Sequence, residues 1–102
     1  MSHPLPPGEG MLPTLKETID RYGLAAKKSL GQHFLLDMNI TTKIAQAAGP
    51  LAGVHAIEIG PGPGGLTRAL LESDAADVTA IEKDARCIAA LGELQPVYGA
   101  RF

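Results

Sequence analysis

Cysteine is almost missing from this chain of 102 residues. Cys87 stands alone, which excludes an intramolecular disulfide and any cysteine-based metal cluster. Its alanine-rich surroundings predict a half-buried thiol on a helix rather than a reactive one. Long apolar runs are missing too: nothing approaches the roughly 18 consecutive apolar residues of a membrane span. The N-terminus carries Pro4, Pro6, Pro7, Gly8 and Gly10 and lacks the apolar stretch of a signal peptide. A reducing, cytoplasmic setting is therefore the default, with neither a membrane nor a metal among the expected partners. No sign of charge dominates either, since the net charge is −2, and the composition gives no global signal for a polyanion. The charge is unevenly placed, however. Residues 14–43 hold five basic and three acidic side chains, whereas residues 44–102 hold four basic and seven acidic ones. A weakly basic N-terminal segment on an acidic body is compatible with a nucleic-acid partner.

What is present reads as one domain or part of one. Apolar residues make up 45% and charged residues 20%, ordinary values for a globular protein. Residues 1–13 are a disordered leader, because their prolines deny backbone donors and little there can be buried. Residues 14–102 are the structured part. Thr14, with Glu17 three residues on, predicts a capped helix that Gly23 stops. Residues 27–37 fit neither period and read as an ordered loop that buries Phe34, Leu35 and Leu36. Asp37 caps a second helix through about Ala48, with Ile40, Ile44 and Ala47/Ala48 as its apolar face, and Gly49-Pro50 ends it.

Beyond lies a strand over Val54–Ile59, then a glycine- and proline-rich loop over Gly60–Gly65, then a helix over Gly65–Glu72. A second strand follows over Asp77–Ile81, and Asp84 caps a third helix over Ala85–Leu91. Strand, helix, strand, helix with short links predicts an α/β fold with parallel strands and crossover helices. Tyr98–Phe102 reads as the approach to a third strand. Two parallel strands make a poor free-standing sheet, so the chain reads as truncated, its parallel sheet incomplete.

The chemistry concentrates in Glu58-Ile59-Gly60-Pro61-Gly62-Pro63-Gly64-Gly65. A strand enters this segment and a helix leaves it, the context that gives a glycine motif meaning. Gly60 permits the sharp turn, Gly62 lets a ligand lie against backbone, and Gly64 or Gly65 lets the helix pack close to the strand. Twenty-two positions after Gly60, at the tip of the second strand, stands Glu82. A carboxylate there can accept hydrogen bonds from both hydroxyls of a ribose. Gly60, Gly62 and Gly65 also satisfy the Gly-x-Gly-x-x-Gly pattern of NAD sites. Two features weigh against a dinucleotide: Glu58 would sit poorly beside a pyrophosphate, and about fifty residues precede the first strand. An adenosyl ligand carrying a sulfonium and an amino acid suits an acidic rim better. Glu58 itself is placed either to orient the loop or to attract a cation.

Taken together, Lys28-Ser29-Leu30-Gly31-Gln32-His33-Phe34-Leu35-Leu36-Asp37, Glu58–Thr67 and Ile81-Glu82-Lys83-Asp84 strongly resemble the small-subunit ribosomal RNA adenine dimethyltransferases. The resemblance covers roughly residues 14–102. It implies a Rossmann-like class I fold, S-adenosyl-L-methionine as cofactor, and dimethylation of adenine N6 in small-subunit ribosomal RNA during ribosome assembly, by a monomeric full-length protein. It also implies that His33 and Leu35 cover the ligand, that Gly60 and Gly62 line it, and that Glu82 holds its ribose. His33 stands where Asn is commoner in the family; read alone it is a loop histidine. The family's acidic residue after the third strand, its Asn-Leu-Pro-Tyr motif and its base-stacking aromatic are not matched within the 102 residues, so no catalytic residue is assigned and the chain alone is expected to be inactive. Two other classes stay open at this stage: an NAD-dependent oxidoreductase, and a non-catalytic RNA-binding assembly module.

Overall fold

The computed structural model describes residues 12–24 and 37–102. Helix α1 (Leu15–Arg21) begins where Thr14 and Glu17 form a reciprocal capping box. The Thr14 hydroxyl accepts from Glu17 N at 3.1 Å, and the Glu17 carboxylate accepts from Thr14 N at 3.0 Å. Two amide donors that would otherwise be orphaned at the helix start are thereby satisfied. Helix α2 (Met38–Ala47) begins at Asp37, whose carboxylate accepts from Asn39 N at 2.8 Å.

Strands β1 (His55–Ile59) and β2 (Asp77–Ile81) pair in parallel, with His55 opposite Asp77 and Ile59 opposite Ile81. Helix α3 (Gly65–Glu72) makes the crossover between them, and α4 (Ala85–Gly92) follows β2 from its Asp84 cap. The α/β reading of the sequence is therefore the architecture found: among the described residues, a small two-stranded parallel sheet with flanking helices.

The strand period of two separates the sheet's faces. Inward lie Glu58 and Val78, with Ala56 and Ala80 half-buried. Outward lie Ile57, Ile59 and Ile81, which remain 67%, 73% and 54% exposed. The core is built from Ala69, Leu70 and Leu71 of α3, Val78 of β2, Leu91 and Leu94 around the end of α4, and Ala45 and Leu51. The N-terminal helix is held to this core by an arginine. Arg68 Nη1 donates to Pro13 O at 2.8 Å and Nη2 to the Thr18 hydroxyl at 3.2 Å. Arg21 and the Tyr22 hydroxyl both donate to Glu93 just past α4.

Two expectations are corrected. The buried face of α2 is not the Ile40/Ile44/Ala47/Ala48 stripe. Thr41 and Ala45 are the buried residues, and Ile44 is 45% exposed. This helix packs on α3, and small side chains let the two backbones approach. Thr41 keeps its hydroxyl satisfied on Met38 O, so a polar residue occupies the seam at little cost. The second correction concerns Tyr98–Phe102, which does not enter a third strand. Gln95–Tyr98 form a short helix α5, followed by a 3₁₀ turn over Gly99–Arg101. Pro96 in the first turn of α5 suits a helix start. Arg101 then fastens the turn in place by donating to Leu71 O at 2.9 Å, Ser73 O at 3.2 Å and Ala75 O at 3.0 Å. The Leu71 and Ser73 carbonyls lie at the C-terminal end of α3, where a cation is favoured, and that of Ala75 lies in the link to β2.

Leu71, 1% exposed, sits at the junction of helix layer and sheet. Leu71→Ala is expected to cost about 2–5 kcal/mol, read as a lowered urea midpoint with an unchanged slope.

Candidate functional site

The turn after β1 is possible only because of glycine. Gly60, Gly62 and Gly64 have φ of +68°, +58° and +102°, a region that costs an L side chain roughly 1–2 kcal/mol. Their surroundings then distinguish them. Among the described residues, a Cβ on Gly60 or Gly62 would meet nothing within 4 Å, whereas one on Gly64 would lie 2.9 Å from Leu91 Cδ2. Gly60 and Gly62 thus present bare backbone to open space. Gly64 is the packing glycine, and what it admits is a leucine from α4 rather than the strand itself.

Backbone bonds hold the turn. Gly60 N donates to Ile81 O at 2.9 Å, extending the strand pair past Ile59, and Gly64 N donates to Pro61 O at 3.1 Å. The decisive contact is made across the sheet. Gly62 N donates to Glu82 Oε1 at 3.0 Å, bridging 20 residues of chain, while Glu82 Oε2 accepts from Lys83 N and Asp84 N, each at 2.9 Å. Three amides converge on one carboxylate. Those bonds, from Asp84 first and Gly62 next, hold the Glu82 carboxyl below its usual range, because they favour the charged form. Beside Glu82 runs a groove of about 510 Å³ along the free edge of β2, lined by Ile81, Ile88, Gln95 and Phe102 among others. That volume falls within the range of small-molecule sites.

Glu58 behaves differently. Its side chain is buried, and the Thr67 hydroxyl in the first turn of α3 donates to it. Burial pushes its carboxyl above the ordinary range, with the Thr67 bond opposing. Of the two roles left open for Glu58, this geometry carries the orienting one: the residue clamps the strand before the turn to the helix after it. Thr67 was not foreseen; a threonine in the first turn of the helix, nine residues after the acid, is the signal that could have found it.

The structure therefore brings Gly60, Gly62 and Glu82 to one place at the carboxyl ends of the strands. His33 and Leu35, with Gln32 and Phe34, lie outside the described residues. Among the described residues, no group of three or more His, Cys, Asp or Glu side chains could hold a metal, and no helix is long and apolar enough to cross a membrane. Cys87 is buried, and desolvation raises its thiol further.

A family model described as ribosomal RNA adenine dimethylase matches residues 23–97. The chain belongs to this family. Its fold is accordingly the Rossmann-like class I methyltransferase arrangement, with two strands among the described residues. Among similar proteins, one from Sinorhizobium medicae is 60% identical over 91 residues, covering 89% of this chain and 33% of its own length. One from Rhodopseudomonas palustris is 61% identical over 91 residues, 89% of this chain and 32% of its own. One from Methylobacterium radiotolerans is 58% identical over 95 residues, 93% of this chain and 32% of its own. All three are named ribosomal RNA small subunit methyltransferase A. The chain spans about a third of the length of these curated relatives.

The buried Glu58 carboxyl makes a prediction about pH. Its folded-state value lies above the ordinary one, so the folded state holds a proton that the unfolded state releases first. Its favourable contribution is complete below the unfolded value and is lost as pH rises through the folded one. Glu58→Gln keeps an acceptor for Thr67 and removes the titration. Urea midpoints measured between pH 4 and 8 should therefore fall with rising pH for the natural chain relative to the variant. Parallel curves would contradict the assignment.

Proposed function

We propose that this chain supplies the S-adenosylmethionine-binding part of an enzyme that dimethylates adenine N6 in small-subunit ribosomal RNA, in the cytoplasm, during ribosome assembly. The observation that carries this reading is the meeting of Gly62 and Glu82: a turn without side chains and a carboxylate share one spot, in a chain of the ribosomal RNA adenine dimethylase family.

The residues present fit an adenosyl ligand. Gly60 and Gly62 offer bare backbone facing open space, with Gly60 against the methionine portion. Glu82 is held ionised by its amide donors, so it is ready to accept from ribose hydroxyls, and charge-assisted bonds of this kind are the stronger ones. His33 and Leu35 cover the ligand in this reading. Bound S-adenosylmethionine would supply a methyl group made electrophilic by its sulfonium sulfur. This chain's own residues bind and orient that donor, and orientation is itself a large part of the barrier reduction in a two-substrate transfer. No residue of the chain is assigned to the transfer itself. Small-subunit ribosomal RNA is the partner the reading implies.

The test is calorimetric titration of the chain with S-adenosylmethionine, using NADH as the competing adenosine ligand. Glu82→Ala removes the ribose acceptor and is expected to weaken S-adenosylmethionine binding by about tenfold to a hundredfold, while NADH does not bind. Unchanged affinity in the variant, or tighter binding of NADH, would overturn the proposal.

A further inference from the structure

Glu82 is already crowded. An ionised carboxylate offers about four lone-pair sites, two on each oxygen. Oε2 accepts from both Lys83 N and Asp84 N, and Oε1 accepts from Gly62 N. Three of the four sites are filled by backbone amides, and one, on Oε1, is vacant. A ribose presents two neighbouring hydroxyl donors to this carboxylate. The diol brings one donor more than the site can take, so one amide must leave.

We infer that ribose recognition here is an exchange, in which Glu82 releases the Gly62 amide as it accepts the second hydroxyl, so that the glycine turn is reset whenever a complete diol binds. This deepens the proposed function and rests on its assignment of Glu82 to the ribose.

The choice of Gly62 follows from what holds each amide. Lys83 and Asp84 lie one and two residues from Glu82 and lead directly into α4. Asp84 is the cap of that helix, accepting from Arg86 N at 2.9 Å, and Arg86 in turn donates to Gly23 O at 3.0 Å. Withdrawing either amide would disturb the start of α4 and the tie to the end of α1. The Gly62 amide comes from a different element. The bonds that fix its turn are made by the glycines on either side, Gly60 to Ile81 and Gly64 to Pro61. At Gly62 itself no described residue lies within 4 Å of a notional Cβ, so its peptide has room to rotate among them. Without a side chain it can leave its φ of +58° for negative values at small cost. The residue is half-exposed, so the freed N–H finds water or a ligand acceptor and is not left unsatisfied. Glycine at this position thus serves mobility of the peptide as well as room for the ligand.

A ligand with a single hydroxyl uses only the vacant site and leaves the turn as it is. The test is nuclear magnetic resonance on the isotope-labelled chain, reading the through-hydrogen-bond coupling between the Gly62 amide nitrogen and the Glu82 carboxyl carbon. The probes are S-adenosylhomocysteine and its 2′-deoxyribose analogue. The coupling should be present in the free chain, vanish at saturation with S-adenosylhomocysteine, and persist with the deoxy analogue, while the Lys83 and Asp84 amide signals keep their positions throughout. The deoxy analogue should bind within about tenfold of the parent, because the hydroxyl bond it lacks is offset by the Gly62 bond it preserves. Glu82→Ala should show the released Gly62 signal without any ligand. A coupling that survives saturation with S-adenosylhomocysteine, or release of Lys83 or Asp84 in its place, overturns the exchange while leaving the cofactor assignment standing. Failure of both probes to bind overturns the assignment and the exchange with it.

Discussion

Glu82 organises the site because two otherwise separate features end on its carboxylate. The glycine turn belongs to β1 and the capped start of α4 belongs to β2, and parallel pairing alone would leave each to find its own conformation. Gly62, Lys83 and Asp84 all donate to the one side chain, so the strand tips are joined beyond the last ladder bond. The turn places three glycines in the left-handed region, which costs them no side-chain clash but leaves a flexible backbone that must be ordered. The Ile81 and Pro61 acceptors fix its two ends, and Glu82 holds the Gly62 peptide between them.

Two carboxylates flank this turn and their environments drive them apart. Glu58 faces the protein interior with a hydroxyl donor as its partner, and burial favours its neutral form. Glu82 sits at the strand tips with three amides, and these favour its charged form. The first therefore clamps strand to helix, and the second gathers backbone amides at the strand tips, where the proposed function places the ribose. The same residue type performs both tasks because solvent access and donor count, rather than proximity to the turn, set the protonation of each. Around them the packing is conventional: Leu71, Val78 and Leu94 are almost fully enclosed, and Gly64 lets Leu91 close the space under the turn.

Much of this was legible from the chain alone where a local rule spoke clearly. Thr14 with Glu17, Asp37 and Asp84 marked three helix starts, and each makes the cap its side chain predicts. The parallel strands and the glycine turn followed from strand, turn and helix in succession, and the convergence of Gly62 with Glu82 followed from their spacing. What failed was decided by tertiary partners. The buried stripe of α2 was placed on its isoleucines, but contact with α3 selected Thr41 and Ala45 because closeness of backbones mattered more than side-chain size. Tyr98–Phe102 was read as the approach to a third strand, yet Arg101 found carbonyls at and just past the end of α3 that no local pattern announces. The Glu58–Thr67 pair was likewise invisible until strand and helix were placed side by side. At the site itself, the carboxylate was foreseen as an acceptor for a ligand, but not as one already engaged by backbone.

The most direct measurement is a crystal structure of the chain with S-adenosylhomocysteine. Ribose hydroxyls are expected at about 2.5–3.0 Å from the Glu82 carboxylate, with the amino-acid portion lying along Gly60. A ligand bound elsewhere, remote from both Gly60 and Glu82, would contradict it.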